Sequence, residues 1–583
     1  MGAMTARRRT HWRVAGMLLG ASCAACESAV VPNGSEAHAV AEVAAPEAEG
    51  GAPKTEPIAE AAFATAASPS GAFTAAWRPL APAVPVNELF DLEVRLYEGR
   101  GAGEETQQPL AGAKVSASAW MPEHMHGMSR RPQVVETAPG RYLVRGMLLH
   151  MEGSWQLFID VMTAGKSERV EFPLDVRDGA PLAVEGFTPE EVRAFLHLSP
   201  LPAPPPDPTN RYADDPRAAR LGQYLFFDPR FSASGNVSCA TCHSPALGFA
   251  DGKHFGQAGE AAPLLDRHTP SLWNVAYQRW WFWDGRADSL WAQPLHPLEE
   301  PREHATTRLE IAHALRADAG LTRAFEETFG ALPDLSDPKR FPAKGKPGDA
   351  AWEAMAAADQ KAVSRVFSNF GKALAAYERR LLSRAAPLDE FVAGVRAGDL
   401  ERQRALDPAA REGLRLFVGA ARCVLCHSGP TFSDREFHDN RVPTLGGEPR
   451  RDAGRYRGIP VVQADPFNGA GEFSDAPEGA AQDKLHFLPV AGDNWSEFKT
   501  PTLRNVALTA PYMHQGQFAT LDEVLAYYNT LERAVPSHSP ERTLQPVNLS
   551  TDALASLRAF LVALSDARLD PSLLATPPTP WLP

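Results

Sequence analysis

One five-residue pattern occurs twice in this chain, as Cys239-Ala240-Thr241-Cys242-His243 and as Cys423-Val424-Leu425-Cys426-His427. C-x-x-C-H is the attachment signal of a c-type haem: the two thiols add to the vinyl groups as thioethers, and the next-door imidazole is presented to the iron. A CxxC pair also serves as a zinc half-site or a redox dithiol. Zinc would need both pairs to meet in one tetrahedral site, and it leaves the histidine after each pair unexplained. Two covalently bound haem c groups are therefore expected, held by Cys239, Cys242, His243, Cys423, Cys426 and His427.

The sequence around the motifs predicts the elements that must position them. Val363, Val366, Phe367, Phe370, Leu374, Tyr377 and Leu381 trace one helical face. Asp215-Pro216 and Asp407-Pro408 each pair an N-cap with a proline suited to the first helical position. Each is followed by Gly-x-x-Leu-Phe, at Gly222 to Phe226 and Gly413 to Phe417, and then by a cysteine motif, so the arrangement is an internal repeat. Leu554, Leu557, Leu561 and Leu564, after Ser550, supply a last amphipathic helix. Upstream the period changes to two, in Phe90, Leu92, Val94, Leu96, in Trp155, Leu157, Ile159, Val161 and in Val170, Phe172, Leu174, Val176. Short strands across about a hundred residues suggest a small β-sandwich. The expected fold is multidomain: two mainly α, cytochrome c-like haem domains at 187–395 and 396–575, preceded by an all-β sandwich at 76–180.

Residues 27–75, rich in Ala, Glu, Pro and Gly, read as a disordered linker. Residues 1–26 place Arg7-Arg8-Arg9 and Arg13 before an apolar stretch from Val14 to Ala21 and then small residues, the order of a secretory leader. A periplasmic protein is expected, with Cys23 or Cys26 as alternative lipid-anchor sites, although the residues three positions before them, Gly20 and Cys23, differ from the usual Leu. No later apolar run approaches the roughly 20 residues of a membrane helix. Four of the six cysteines belong to the motifs and two to the leader, so no structural disulfide is expected. The net charge of −13 argues against a nucleic-acid partner, which selects basic surfaces.

Beyond the two motifs, residues 187–570 resemble the bacterial di-haem cytochrome c peroxidase/MauG family. The resemblance is carried by Leu221-Gly222-Gln223-Tyr224-Leu225-Phe226-Phe227-Asp228-Pro229, by Phe282-Trp283-Asp284-Gly285-Arg286, by Ser428-Gly429-Pro430 after the second motif, and by Thr500-Pro501-Thr502-Leu503-Arg504-Asn505 through Pro511-Tyr512-Met513-His514. It implies that His243 serves a haem with an open distal face that reacts with hydrogen peroxide, and His427 a six-coordinate haem that carries electrons. It also implies a Gln and a Glu that move protons during peroxide cleavage, and a Trp between the haems; Trp283, Gln293 and Glu303 keep the family's ten-residue spacings. Taken without the family, Glu303 reads as a solvated charge and Trp283 as core filler, like Trp273, Trp280, Trp281 and Trp291, whose roles stay open.

Family members carry Met, or in the MauG type Tyr, fourteen residues after the His of Pro-Tyr-x-His as sixth ligand of the second haem. Counting from His514 reaches Tyr528, with Tyr527 adjacent. Phenolate is a hard anionic donor that favours ferric and higher states, whereas thioether favours ferrous iron. The resemblance further implies calcium near a Thr-x-Pro, here Thr509 and Pro511, but the Asn of that site is replaced by His268, a poor ligand for a hard cation. In the N-terminal region His124, Met125, His126 and Met128, with His150 and Met151, form a soft set that suits copper, or equally a Met-rich loop capping the sandwich. That region resembles small Ig-like domains of the YtkA/FixH type.

The implied function is a periplasmic di-haem peroxidase that uses hydrogen peroxide to oxidise a protein substrate or redox partner through a MauG-like high-valent di-haem state. The alternatives are a classical cytochrome c peroxidase fed by a small electron-donor protein, and a non-catalytic electron-transfer or copper-handling protein.

Overall fold

The computed structural model describes residues 62–582, apart from residues 82, 87–88, 101–107, 123–125, 129–131, 150, 164–165, 177–181, 259–261, 446–451, 487, 567 and 569. The period-two segments form nine strands among the described residues: β1 Ala64–Ala67, β2 Phe73–Pro79, β3 Phe90–Glu98, β4 Lys114–Met121, β5 His126–Gly127, β6 Gln133–Ala138, β7 Arg141–Met147, β8 Gly153–Thr163 and β9 Lys166–Val176. They pair antiparallel in two sheets, ordered β1-β2-β3-β7-β6 and β5-β4-β8-β9. Alternate side chains of a strand face one side. Leu92, Val94 and Leu96 of one sheet therefore meet Trp155, Leu157 and Ile159 of the other in a single buried core.

The sandwich begins earlier than composition indicated. β1 and the start of β2 lie inside the stretch assigned to the linker at 27–75. β1 is an edge strand with mostly exposed side chains, so it carries no alternation to read, and its pairing with β2, from Ala64 with Trp77 to Ala67 with Thr74, defines it. The leader and the rest of the linker lie outside the described residues.

Beyond residue 187 the chain is largely helical. Asp215 caps the helix Pro216–Phe227 by accepting from Arg217 N at 2.8 Å, and Asp407 caps Pro408–Val418 by accepting from Ala410 N at 2.8 Å. The first of these crosses the helix Ala357–Glu378, the second crosses Thr551–Val562. At each crossing the repeated glycine lies against backbone. A Cβ added to Gly222 would sit 1.8 Å from Ala373 O, and one added to Gly413 would sit 2.0 Å from Ser556 O.

The cores do not follow sequence order. Helices Pro189–Leu196 and Pro387–Ala397 bury Val192, Phe195, Leu388 and Phe391 with Leu414, Phe417 and Phe560 of the second half. Conversely, Phe467, Phe473 and Leu573 enter the core of the first half, beside Phe226, Trp291 and Phe367. The boundary expected between residues 395 and 396 therefore cuts a helix that packs in the second half. Amphipathic periodicity reveals which face is apolar but not which core receives it.

Gly413→Ala should force the helix crossing apart and lower stability by about 1–3 kcal/mol, seen as a lower Tm in thermal unfolding followed by circular dichroism. Gly492→Ala, with open space at its Cβ position, should leave Tm unchanged.

Candidate active site

Each cysteine motif is a single helical turn that ends on its histidine. Cys239–Cys242 is one such turn, and His243 N donates to Cys239 O at 2.8 Å; in the second motif His427 N donates to Cys423 O at 2.9 Å. Nδ1 of His243 donates to the Phe249 carbonyl at 3.0 Å and Nδ1 of His427 to that of Phe432 at 2.9 Å. Since a carbonyl only accepts, Nδ1 carries the proton in both rings and each Nε2 presents a lone pair. Burial lowers both imidazole pKa values and favours the neutral form a metal needs. The four thiols are not joined in disulfides. Burial pushes Cys242, Cys423 and Cys426 up to about 12 and Cys239 higher still, the reverse of an activated redox dithiol. Among the described residues no cluster of ligand atoms joins the two cysteine pairs, so a shared zinc site is not formed.

The second motif opens on a cavity whose walls have a defined chemistry. Cys423, Cys426 and His427 line it together with Phe417, Leu521, Leu525, Leu557 and Leu561. Arg441 and Lys499 line it as well. Arg441 Nε is buried with no hydrogen-bond partner, and burial pulls Lys499 down to about 7. An apolar slot with two thiols, a neutral imidazole and under-compensated cations fits a c-type haem: thiols for the vinyls, imidazole for the iron, cations for the propionates.

The structure separates the two adjacent tyrosines of the helix Leu521–Thr530. Tyr528 lines the cavity with His427, and its hydroxyl accepts from Asn440 Nδ2 at 3.0 Å. Tyr527 is buried beside Phe518, and its hydroxyl donates to the Asn440 carbonyl at 2.7 Å. Burial raises the Tyr528 pKa, so the phenol is protonated until a cation faces it.

Trp283 lines the same cavity, and its indole N–H donates to the His268 carbonyl at 2.9 Å. The His268 N–H in turn donates to the His514 carbonyl at 2.8 Å, so the backbone of one residue ties the Trp283 loop to the His514 loop. These loops are a second internal repeat that motif reading missed. Thr-Pro-Ser-Leu-Trp-Asn-Val-Ala at 269–276 recurs as Thr-Pro-Thr-Leu-Arg-Asn-Val-Ala at 500–507. Asn274 and Asn505 are both left-handed, at φ 56° and 62°, as are Phe282 and Met513, at 63° and 70°. Trp281 N donates to Ala287 O and Tyr512 N to Phe518 O, so Trp283 and His514 hold equivalent positions in the two loops.

Glu303 lies close enough to the first motif for its charge to add to the effect of burial in raising the Cys239 and Cys242 thiols. Burial lifts Glu303 itself to about 7, partly offset by Arg286. Gln293 is half-buried at the start of the same segment, ahead of the short helix Leu295–Glu299. Two further buried groups were not anticipated: His304, lowered to about 4 by burial with Nδ1 on the Phe231 carbonyl at 3.3 Å, and Glu378, raised by burial to about 8 with Oε2 unpartnered. Nothing in their local sequence marks them, because burial decides both.

The expected calcium ligands do not assemble into a suitable set. Thr509 and Pro511 line the cavity, but His268 offers no oxygen from its side chain, and its Nδ1 donates to the Lys253 carbonyl at 2.7 Å. These residues do not fit calcium. Of the expected copper ligands, His124, Met125 and His150 and the side chain of His126 lie outside the described residues, while Met128 and Met151 pack half-buried against the sandwich core.

Comparison with known proteins gives concordant matches. A family model for di-haem cytochrome c peroxidases matches residues 216–397, and a YtkA-like model matches residues 102–160. The methylamine utilization protein MauG of Methylorubrum extorquens is 31% identical over 365 residues, covering 63% of this chain and 82% of that protein. The cytochrome-c peroxidase IdrP1 of Denitromonas iodatirespirans is 32% identical over 377 residues, covering 64% and 87%. A crystal structure of a MauG-like protein associated with microbial copper homeostasis covers 65% of this chain and 98% of its own at 24% identity, with a TM-score of 0.48.

Replacing both cysteines of one motif, as Cys239→Ala with Cys242→Ala or Cys423→Ala with Cys426→Ala, should halve the haem that stays covalently attached through acid denaturation, read by the pyridine haemochromogen assay and by intact mass.

Proposed function

The chain belongs to the MauG/di-haem cytochrome c peroxidase family, and we propose that within this family of peroxidases it works in the MauG-like mode, oxidising a protein side chain at long range. The observation that carries this reading is Tyr528, whose phenol shares the cavity of Cys423, Cys426 and His427 while Tyr527 is turned away. When bound, the two haems would supply the redox chemistry that stores the oxidising equivalents of peroxide for a remote donor. The residues do the rest. His243 and His427 would hold the haems through neutral Nε2 atoms, and Tyr528, in the cavity of His427, would supply an anionic oxygen that disfavours reduction. Glu303 takes a proton from the near oxygen of peroxide and returns it to the leaving oxygen, with Gln293 orienting the peroxide. A carboxyl near 7 can do both, because neither form is strongly preferred at neutral pH. Trp283, on the wall of the Tyr528 cavity, passes electrons one at a time. Among the described residues no helix is long and apolar enough to cross a membrane. The attachment motifs and the leader support a periplasmic protein with a protein as its reducing partner.

Stopped-flow absorbance of the diferric protein mixed with stoichiometric peroxide, without reductant, should show rapid conversion and a near-infrared charge-transfer band. Tyr528→Met should abolish that reaction until one electron per chain is added; a wild type that already needs this electron would establish the classical peroxidase instead. The peroxide rate should rise with pH between about 6 and 8, as Glu303 becomes the accepting carboxylate, and level off above. Glu303→Gln should remove that dependence and about two to four orders of magnitude in rate.

A further inference from the structure

Five tryptophans crowd residues 273–291: Trp273, Trp280, Trp281, Trp283 and Trp291. An indole near a strong oxidant is a donor of electrons wherever it lies, so a chain that routes oxidising equivalents through one of them must stop the others from reacting. Their surroundings differ in charge. Arg455 Cζ sits 4.2 Å and Lys484 Nζ 4.3 Å from the centre of the Trp280 ring. Lys484 lies 5.7 Å from the Trp281 ring as well. Trp291 has Lys372 at 5.1 Å, but that ammonium is paired with Asp475 at 2.7 Å. Among the described residues no cation lies over Trp283, whose N–H instead meets the His268 carbonyl.

Among the described residues the two cations over Trp280 are hydrogen-bonded to backbone carbonyls and not salt-bridged to a carboxylate. Lys484 Nζ donates to the backbone carbonyls of Asp288, at 2.6 Å, and of Arg279. Arg455 Nη1 donates to the carbonyls of Gly285 at 2.8 Å and Asp284 at 3.2 Å. The nearby carboxylates, Asp284, Glu436 and Glu497 around Arg455 and Asp288 near Lys484, act on the cations through space without a salt bridge; Asp284 is paired with Arg267 and Arg286, and Asp288 accepts from Gly469 N–H. Burial lowers Lys484 only to about 8 and Arg455 to about 10, so both are charged at neutral pH. Trp280 is 4% exposed, so water screens the charges poorly.

A cation attracts the electron-rich face of a neutral indole. Once the indole has lost an electron the same charge repels it, and in a buried site that repulsion is large. We propose that Arg455 and Lys484 are positioning residues that keep Trp280 from being oxidised and so close one side route by which oxidising equivalents would leave Trp283. This rests on the reading of Trp283 as the bridge. Unprotected, Trp280 would be consumed: peroxide and one indole C–H give one hydroxyindole and one water, the indole losing two electrons and peroxide gaining them as its O–O bond breaks.

Lys484→Gln removes the charge and keeps a donor for the carbonyls, and Lys484→Arg keeps both. Trp280, Trp281 and Trp283 share the tryptic peptide between Arg279 and Arg286, and fragment ions assign a hydroxylation to one of them. Holoprotein is illuminated with tris-bipyridyl ruthenium, with persulfate as terminal electron acceptor, which oxidises tryptophan independently of peroxide chemistry. Hydroxylation at Trp280 should rise several-fold in Lys484→Gln over wild type and return to the wild-type level in Lys484→Arg. Equal modification of Trp280 in all three proteins overturns the proposal. A parallel arm with stoichiometric peroxide tests the underlying reading separately: if peroxide modifies no tryptophan and leaves the spectrum unchanged, the proposed function fails, while the photochemical arm still decides the role of Lys484.

Discussion

At Gly222 and again at Gly413, one helix backbone rests directly on another. A hypothetical Cβ at either place would penetrate a carbonyl oxygen, Ala373 O in one half and Ser556 O in the other. This approach fixes the height of the helix that precedes each cysteine motif, and so where each motif begins. From there the turn of Cys239–Cys242, or of Cys423–Leu425, delivers a histidine whose Nδ1 is anchored to a carbonyl five or six residues on. Packed interiors tolerate little extra volume, so displacement at the crossing would propagate to the imidazole.

The halves built this way are not independent bodies. Helices flanking the first half are buried in the core of the second, and Phe467, Phe473 and Leu573 return to the first. A buried ion pair belongs to this interleaving: Arg504 holds Asp389 with both guanidinium arms, at 2.8 and 2.9 Å, and also donates to the carbonyls of Leu198 and Pro430. Removing one partner of such a pair leaves an uncompensated buried charge. The backbone of His268, hydrogen-bonded to both the Trp283 and His514 loops, couples the halves at the cavity itself.

Burial does most of the electrostatic work. It keeps the cysteine thiols protonated and both motif imidazoles neutral, and it lifts Glu303 into the neutral range. None of these shifts requires an unusual residue. They arise because apolar walls withdraw solvent from ordinary groups. Where charge must persist inside, at Arg455 and Lys484, it is hydrogen-bonded to backbone carbonyls rather than salt-bridged to carboxylates, and it lies close over the Trp280 ring.

The sequence by itself determined what depends on neighbours along the chain. The two C-x-x-C-H turns, the Asp-Pro helix starts, the repeated Gly-x-x-Leu-Phe and the alternating strands were legible because a helical turn or a strand is a local object with its own period. Residue counting from His514 reached Tyr528, and family spacing reached Glu303, but a count says nothing about direction. Tertiary structure decided that Tyr528 enters the cavity while Tyr527 packs beside Phe518, that β1 exists as an edge strand within an Ala-rich stretch, and that the helix Pro387–Ala397 belongs to the second core. It alone distinguished the five tryptophans, since the cations over Trp280 come from residues 455 and 484, far along the chain. Charge and burial at a point are sums over everything packed there, and only the fold brings those terms together.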